Sequence, residues 1–215
     1  MKHGAIFDMD GTLLDTERFY AEGWLVVADY FGLERNAELP GRMSGTSWAV
    51  MPEILQKFYP GVDAEAYINK VVEYCDTKVK AQLDIMPGVI EILNYFKSSK
   101  ISMAVASSSD KTVIEEKLQR VNLLQYFSAI VGGDEVINGK PDPEIFLKAA
   151  AAIRVAPEDC YVFEDSFNGV RAGHASGALT IMIPDQVQPT EEITKLCHVY
   201  KNMTFAKIAI ETGAI

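Results

Sequence analysis

With 215 residues, of which 48% are hydrophobic, the chain can bury a sizeable core in one or two domains and is unlike a disordered protein. Its 30 acidic and 20 basic residues give a formal net charge of -10, with no cluster of Lys and Arg. This balance argues against a nucleic-acid partner, because such binding depends on neutralising phosphates with basic side chains.

The first predicted element is a buried parallel strand that ends in two carboxylates one residue apart. The apolar residues 4–7 are followed by Asp8-Met9-Asp10-Gly11-Thr12. Side chains two apart on a strand share a face, so Asp8 and Asp10 project the same way, and Gly11 permits an immediate turn. Two close anions favour a divalent cation such as Mg²⁺, although a polar strand end with an Asp-Gly turn also explains these residues.

Residues 16–85 are predicted to be mostly helical and to contain no strand. The first helix ends before Gly32, and the second runs from Ser47 to Phe58. A third helix follows the turn at Pro60-Gly61, with Asp63 as its N-cap.

After Met86-Pro87-Gly88, helices and strands alternate. The predicted helices span residues 89–96, 110–119, 143–152 and 168–175, and the predicted strands span residues 101–106, 129–131, 161–163 and 179–183. Such alternation is typical of a parallel sheet covered on both faces. We therefore predict an α/β fold, a doubly wound parallel sheet formed by residues 1–15 and 86–215, with an inserted all-helical domain of residues 16–85.

Further polar side chains follow the predicted strands or lie in a turn before a helix. They are Ser107 and Ser108 after the second strand, Lys140 in the turn Gly139-Lys140-Pro141, and Glu164 and Asp165 after a later strand. Ligands of such sheets bind beside the carboxyl ends of the strands, so we expect these side chains to converge with Asp8 and Asp10. A capping role for Ser107 and a solvated turn for Lys140 are the alternatives, although Ser109 or Asp110 is the better candidate for capping the helix.

In this order, the four segments resemble the signature of the haloacid dehalogenase superfamily: DxDGT, a strand ending in Ser or Thr, GKPDP, and a strand ending in Glu-Asp. The resemblance covers nearly the whole chain and implies a Rossmann-like catalytic core with a helical cap over the site. Within the superfamily, the insertion after residues 8–16 most resembles the beta-phosphoglucomutase-like phosphatases. Dehalogenases of the superfamily lack the second aspartate, so Asp10 disfavours their chemistry.

The resemblance also implies roles for individual residues. Asp8 would be the nucleophile and Asp10 the general acid and base. Ser107, Ser108 and Lys140 would bind phosphate. The cofactor would be Mg²⁺, held by Asp8, Asp10 through its carbonyl, and Asp165, with Glu164 as a second-choice ligand.

In the predicted cap, Tyr20, Trp48 and Tyr74 are the candidate specificity residues. Aligned by eye, they occupy the places of a histidine, an arginine and a lysine of the phosphomutases. A mutase must hold a second phosphate, which favours arginine, so these residues favour a phosphatase. Arg42 lies close enough in sequence to supply the missing charge, which keeps the mutase as an alternative.

The predicted function is a Mg²⁺-dependent phosphatase for a small phosphorylated metabolite, with sugar phosphates suggested by the resemblance. The alternatives are a beta-phosphoglucomutase-like phosphomutase and, from another class, a phosphoaspartyl signalling module or a non-catalytic binding protein. Three scattered cysteines give neither a disulfide framework nor a zinc site. With no signal peptide and no apolar run of about 20 residues, we expect a cytoplasmic protein without a membrane partner, as a monomer or weak homodimer.

Overall fold

A computed structural model describes residues 1–44, 46 and 50–215, which form two compact units. The first, called the core unit here, comprises residues 1–14 and 85–215, and the second, the helical unit, comprises residues 15–84. Both junctions lie one residue before the boundaries expected from the sequence. The roles of the two units as catalytic core and cap stay predictions.

The core unit is built on a parallel sheet. Its six strands are β1 (Gly4–Phe7), β2 (Ser102–Ala106), β3 (Ala129–Val131), β4 (Cys160–Glu164), β5 (Leu179–Met182) and β6 (His198–Val199). They lie in the order β3-β2-β1-β4-β5-β6, and every neighbouring pair is parallel. The prediction of a doubly wound α/β sheet is confirmed. The sequence does not predict β6, because its two residues are exposed and form no apolar run.

The sequence predicts the helices given below except those at residues 39–43, 191–194 and 203–211. Those of the helical unit are α1 (Glu17–Tyr30), α2 (Leu39–Met43), α3 (Met51–Phe58) and α4 (Ala64–Ala81). Those of the core unit are α5 (Val89–Ser98), α6 (Lys111–Arg120), α7 (Glu144–Ala152), α8 (Phe167–Ala175), α9 (Glu191–Thr194) and α10 (Met203–Glu211). The predicted start of the second helix at Ser47 lies outside the described residues.

The two faces of the sheet bury different side chains. On one face Phe7 stacks on Phe163, with ring centroids 4.6 Å apart, and Phe96 of α5 packs beside them. On the other face Ile6 belongs to an apolar cluster that includes Phe146 of α7. Because side chains alternate along a strand, the residue after Phe7 points to the same side as Ile6, toward α7.

The helical unit has an aromatic core of its own. Trp24 of α1 stacks on Tyr67 of α4 at 6.2 Å between centroids, and the Tyr67 hydroxyl donates to the Trp24 carbonyl at 2.8 Å. Asp63 caps α4 as expected, because its carboxylate accepts the N–H of Ala66 at 3.0 Å. The described residues of this unit contain no strand, as predicted.

The remaining general expectations concern membranes and thiols. Among the helices formed by the described residues, none has both the length and the apolar character needed to cross a membrane. Cys75, Cys160 and Cys197 are free thiols, and burial raises the pKa of Cys160 and of Cys197 to about 11.

Candidate active site

Polar side chains from three adjacent strands meet at one edge of the sheet. Asp8 follows β1, Ser107 follows β2 and Asp165 follows β4, and β1 lies between the other two strands. All three residues are buried. The strand order also reverses beside β1, and such a switch point is where open α/β sheets bind ligands. The structure thus brings together strand ends that are far apart in sequence.

Lys140 joins this group through contacts with two acids and one backbone carbonyl. Its Nζ is 2.6 Å from Asp8 Oδ1, 2.5 Å from Glu164 Oε1 and 3.2 Å from the carbonyl oxygen of Ala106, and its side chain is only 7% exposed. Burial acts to lower the pKa of this ammonium, but the charges of Asp8 and Glu164 outweigh it and raise the pKa above its usual range. Lys140 therefore stays protonated and supplies a fixed positive charge.

The segment before Lys140 is anchored by Glu144 of α7. The Glu144 carboxylate accepts the N–H groups of Ile137 and Asn138, at 3.1 and 2.9 Å, and pairs with Lys148 at 2.7 Å. These contacts, the hydrogen bond from Lys148 first, lower the pKa of Glu144 to about 2. Glu144 was not among the residues predicted from the sequence, although it directly follows the Pro-Asp-Pro turn.

Glu164 uses both carboxylate oxygens within the protein. Oε1 accepts from Lys140, while Oε2 accepts the N–H groups of Asp165 and Ser166, both at 3.1 Å, and the Ser166 hydroxyl at 2.9 Å. Gly169 of α8 makes room for this carboxylate, since a Cβ atom there would lie 1.9 Å from it. Glu164 therefore acts first as an internal anchor for Lys140 and for the turn after β4.

The acidic residues at the strand ends are close enough to share a cation. Asp8, Glu164 and Asp165 each offer one oxygen, and these three atoms lie within 4.8 Å of one another. Burial raises the pKa of Asp8 well above its usual value; Lys140 opposes this rise, and Glu164 and Asp10 add to it. Carboxylate oxygens are the ligands that Mg²⁺ prefers, and the repulsion among these acids favours a bound cation. The donor set therefore fits Mg²⁺.

Asp10 is held by the segment that follows β2. Its Oδ1 is 2.8 Å from Lys117 Nζ, and its Oδ2 accepts the Ser109 hydroxyl at 3.1 Å. Neither partner was predicted from the sequence. A signal for Lys117 exists, because it lies between Ile114 and Leu118, which are the buried residues of α6.

The serines after β2 differ in their surroundings. Ser107 is buried and its hydroxyl accepts the N–H of Ser109 at 3.2 Å, whereas Ser108 is exposed. The expectation that Ser109 or Asp110 caps α6 through its side chain is wrong. Asp110 occupies the N-cap position without a side-chain capping bond, and Asp134 instead accepts the N–H of Lys111 at 2.8 Å. The Ser109 hydroxyl is directed to Asp10.

The predicted specificity residues belong to the helical unit. Tyr20 and Tyr74 are half-buried against its apolar cluster, and Tyr74 also lies beside Lys78, whose Nζ is 5.1 Å from the ring centroid. Arg42 is exposed on α2. Trp48 lies outside the described residues. Contact of these side chains with a substrate stays a prediction.

Comparisons with known proteins agree with the motifs. The sequence model of the family described as haloacid dehalogenase-like hydrolase matches residues 5–183. A phosphorylated carbohydrates phosphatase from Thermotoga maritima is 34% identical over 211 residues, which cover 98% of this chain and 91% of the relative. A fructose-1-phosphate phosphatase from Escherichia coli is 30% identical over 175 residues, which cover 81% of this chain and 92% of the relative.

Among solved structures, similarity extends over the whole fold. A Thermotoga maritima protein provisionally named beta-phosphoglucomutase superposes with a TM-score of 0.78 at 32% identity, covering 98% of this chain and 99% of that one. The resemblance predicted from the four motifs is thereby confirmed. Because the family model spans most of the chain and the first relative spans nearly all of it, this chain belongs to the haloacid dehalogenase-like hydrolase family.

Proposed function

We propose that the chain is a Mg²⁺-dependent phosphatase that hydrolyses a small phosphorylated carbohydrate through an aspartyl phosphate on Asp8. The observation that carries the proposal is Lys140, whose ammonium joins the buried carboxylates of Asp8 and Glu164 at the ends of adjacent strands. In this arrangement Asp8 can act as the nucleophile, Lys140 supplies positive charge, and the acids can bind a metal ion. Phosphoryl transfer needs all three functions.

The enzyme class follows from the family and its relatives. The relatives from Thermotoga maritima and Escherichia coli are named phosphatases, and the chain is accordingly a phosphoric monoester hydrolase. Both names specify phosphorylated carbohydrates, which supports sugar phosphates as the substrate class. A phosphoaspartyl signalling module or a non-catalytic binding protein would not release phosphate over many turnovers, so a turnover assay separates these alternatives.

In the first half of the proposed reaction, Asp8 attacks the phosphorus atom of the monoester. A bond forms between a carboxylate oxygen and phosphorus, the ester P–O bond breaks, and protonated Asp10 gives its proton to the departing alkoxide. Lys140 orients the attacking carboxylate and neutralises charge on the phosphoryl oxygens. The buried Ser107 hydroxyl, at the same edge of the sheet, is assigned to donate to one of those oxygens.

In the second half, water releases the phosphate. Asp10, now a carboxylate, takes a proton from water as the water oxygen attacks phosphorus, and the bond between phosphorus and Asp8 breaks. Inorganic phosphate leaves, Asp8 is restored as a carboxylate, and Asp10 is again protonated. The reaction needs no other co-substrate.

We assign Asp8 and Asp165 as the side chains that hold Mg²⁺, with the carbonyl of Asp10 as a further ligand. Glu164 is placed second because its oxygens already accept hydrogen bonds from Lys140 and Ser166. When bound, Mg²⁺ supplies positive charge that offsets the repulsion between the carboxylates and an incoming phosphate.

Metal removal provides the test of this proposal. We expect excess chelator to abolish phosphate release from sugar phosphates and added Mg²⁺ to restore it. Calcium should inhibit, because it favours longer bonds and higher coordination numbers than Mg²⁺. Replacing Asp165 by Asn should raise the Mg²⁺ concentration for half-maximal activity by about tenfold or more, since even outer-shell partners of a metal change affinity by about 10- to 100-fold.

The control for Asp165→Asn is Asp63→Asn, which makes the same exchange at the N-cap of α4, where asparagine also caps well. Its Mg²⁺ dependence should equal that of the unmodified protein. Isothermal titration of Mg²⁺ provides a second readout that does not depend on turnover. Undiminished phosphate release in excess chelator would contradict the metal assignment.

A phosphomutase is the alternative, because one similar solved structure carries that name. We propose that the helical unit is a cap in which Tyr20, Tyr74 and Trp48 select the substrate. None of these side chains carries the positive charge that a second phosphate needs, and loss of one charge-assisted contact costs about 1.5–3 kcal/mol. Exposed Arg42 is the nearest candidate for a substitute.

We therefore expect net phosphate release from sugar monophosphates and no stimulation by a sugar bisphosphate. Parallel assays of phosphate and of glucose 6-phosphate formed from beta-glucose 1-phosphate measure both activities in one sample. Replacing Arg42 by Met should leave phosphate release within about twofold, since salt screens an exposed charge and no step of the proposed hydrolysis uses it. Interconversion of the two glucose phosphates faster than phosphate release, and lost with Arg42→Met, would support the mutase instead.

A further inference from the structure

We infer that Lys117 is a positioning residue for the reaction: it holds the side chain of Asp10 in the orientation from which Asp10, when protonated, gives its proton to the leaving group. The inference rests on the proposed function, because it assigns a partner to the acid of that mechanism. It concerns a lysine outside the four sequence motifs that mark the family resemblance.

The contact between Lys117 and Asp10 is direct and largely shielded from water. Lys117 Nζ lies 2.8 Å from Asp10 Oδ1, and the two side chains are 12% and 19% exposed. The Ser109 hydroxyl donates to the other oxygen, Oδ2, at 3.1 Å. Donors on both oxygens define the plane of the carboxylate, whereas a single donor would leave it free to rotate about that contact.

The position of Lys117 on its helix is consistent with this function. It stands three residues after Ile114 and one before Leu118, both fully buried in α6. Most lysines on such helices extend into water, and Lys111 at the start of α6 does so, with a side chain 39% exposed and an ion pair to Glu135 at 3.2 Å. The inward placement of Lys117 requires a partner, and Asp10 is that partner.

Lys117 and Lys140 contact different acids of the site. Lys140 contacts Asp8 and Glu164, and Lys117 contacts Asp10. Asp10 is also close enough to Asp8 for its charge to raise the pKa of Asp8. The ammonium of Lys117, 2.8 Å from Oδ1 of Asp10, therefore offsets part of the repulsion between the two aspartates.

A comparison of two leaving groups isolates this role. Phenyl phosphate releases phenol, an alcohol of pKa about 10 like the tyrosine side chain, so its departure benefits from protonation by Asp10. p-Nitrophenyl phosphate releases a far more acidic phenol that departs as the anion. The value of kcat/KM covers the steps through departure of the leaving group, and the ratio between the two substrates does not depend on the fraction of folded protein.

We expect Lys117→Met to lower kcat/KM for phenyl phosphate by about tenfold, the lower part of the range for general acid catalysis, and that for p-nitrophenyl phosphate by less than about threefold. Lys117→Arg keeps the charge and should restore most of the ratio. Lys111→Met, which removes an exposed charge from the same helix, should leave both values unchanged. Melting temperatures show whether each variant folds.

Equal losses for the two substrates, or no loss for either, would overturn the inference, because a purely structural lysine or a phosphate-binding lysine does not distinguish leaving groups. A ratio that Lys117→Arg fails to restore would also count against it. Failure of the unmodified protein to release phosphate from sugar phosphates and from both aryl phosphates, with Mg²⁺ present, would instead refute the proposed function, and the inference with it.

Discussion

Replacing Asp8 by Asn is expected to reduce phosphate release below detection while the protein remains folded. Asparagine keeps the shape of the side chain but offers no anionic oxygen to attack phosphorus, and the proposed reaction has no second route. In triads where the nucleophile is removed, the loss reaches about 10⁶-fold in kcat. Steady-state assays of released phosphate over several hours can measure rates low enough to establish a loss of this size.

The mass of the intact protein provides a complementary measurement. Rapid quenching of the unmodified protein during turnover should trap a phosphate adduct that peptide mapping places on Asp8, and Asp8→Asn should form none. Asp63→Asn, the same exchange at the N-cap of α4, should keep full activity and the adduct. An adduct on another residue, together with activity in Asp8→Asn, would exclude the mechanism.

The residues that could be predicted from the sequence are those whose role is set by position on a strand. An apolar run followed at once by Asp8, by Ser107 or by Glu164-Asp165 is a local pattern, and parallel strands bring their carboxyl ends to the same edge of a sheet. Lys140 could be predicted for a related reason, because the glycine and the proline beside it mark a turn ahead of a helix.

Contacts between elements distant in sequence could not be read in the same way. Lys117 meets Asp10 across 107 residues, and Glu164 meets Lys140 across 24. Nothing in the local sequence states that Glu164 uses its oxygens on Lys140 and on the turn after β4 rather than on a metal. Such pairings depend on how helices pack on the sheet, which a single sequence does not specify.

The fold shows the same division between local patterns and packing between distant elements. The predicted strand at residues 129–131 and the predicted helix after Pro60-Gly61 agree with β3 and α4. Helix α2 has only five residues, including a proline and a glycine, and its propensity does not favour a helix. It forms because packing of Leu39 and Met43 into the core of the helical unit outweighs that local preference.

Replacing Lys140 by Met should lower both activity and stability, because this ammonium pairs with two buried carboxylates. Methionine has a similar length but leaves Asp8 and Glu164 without their common partner, and the Glu164 side chain is only 1% exposed. Removing one member of a buried ion pair costs about 3–5 kcal/mol. Loss of a charge that stabilises the transition state lowers kcat by about 10²- to 10³-fold.

The stability loss should depend on pH. Without Lys140, burial and the neighbouring charge of Glu164 raise the pKa of Asp8 further above its value in the unfolded chain. Groups of raised pKa stabilise the folded protein when protonated and lose that contribution as pH rises through the folded-state pKa. The deficit in the free energy of unfolding should therefore be largest near neutral pH and shrink toward pH 5, as measured by urea unfolding without Mg²⁺.

A second substitution separates the two effects of Lys140. Glu164→Gln removes the carboxylate charge that Lys140→Met leaves unpaired. The amide oxygen of the new glutamine still accepts the N–H groups of Asp165 and Ser166. Adding Glu164→Gln to Lys140→Met should recover part of the lost stability and none of the activity. Lys111→Met, which breaks an exposed pair worth at most about 1 kcal/mol, should change neither. Recovered phosphate release in the double variant would show that Lys140 acts through packing alone, because its charge would then be dispensable for catalysis.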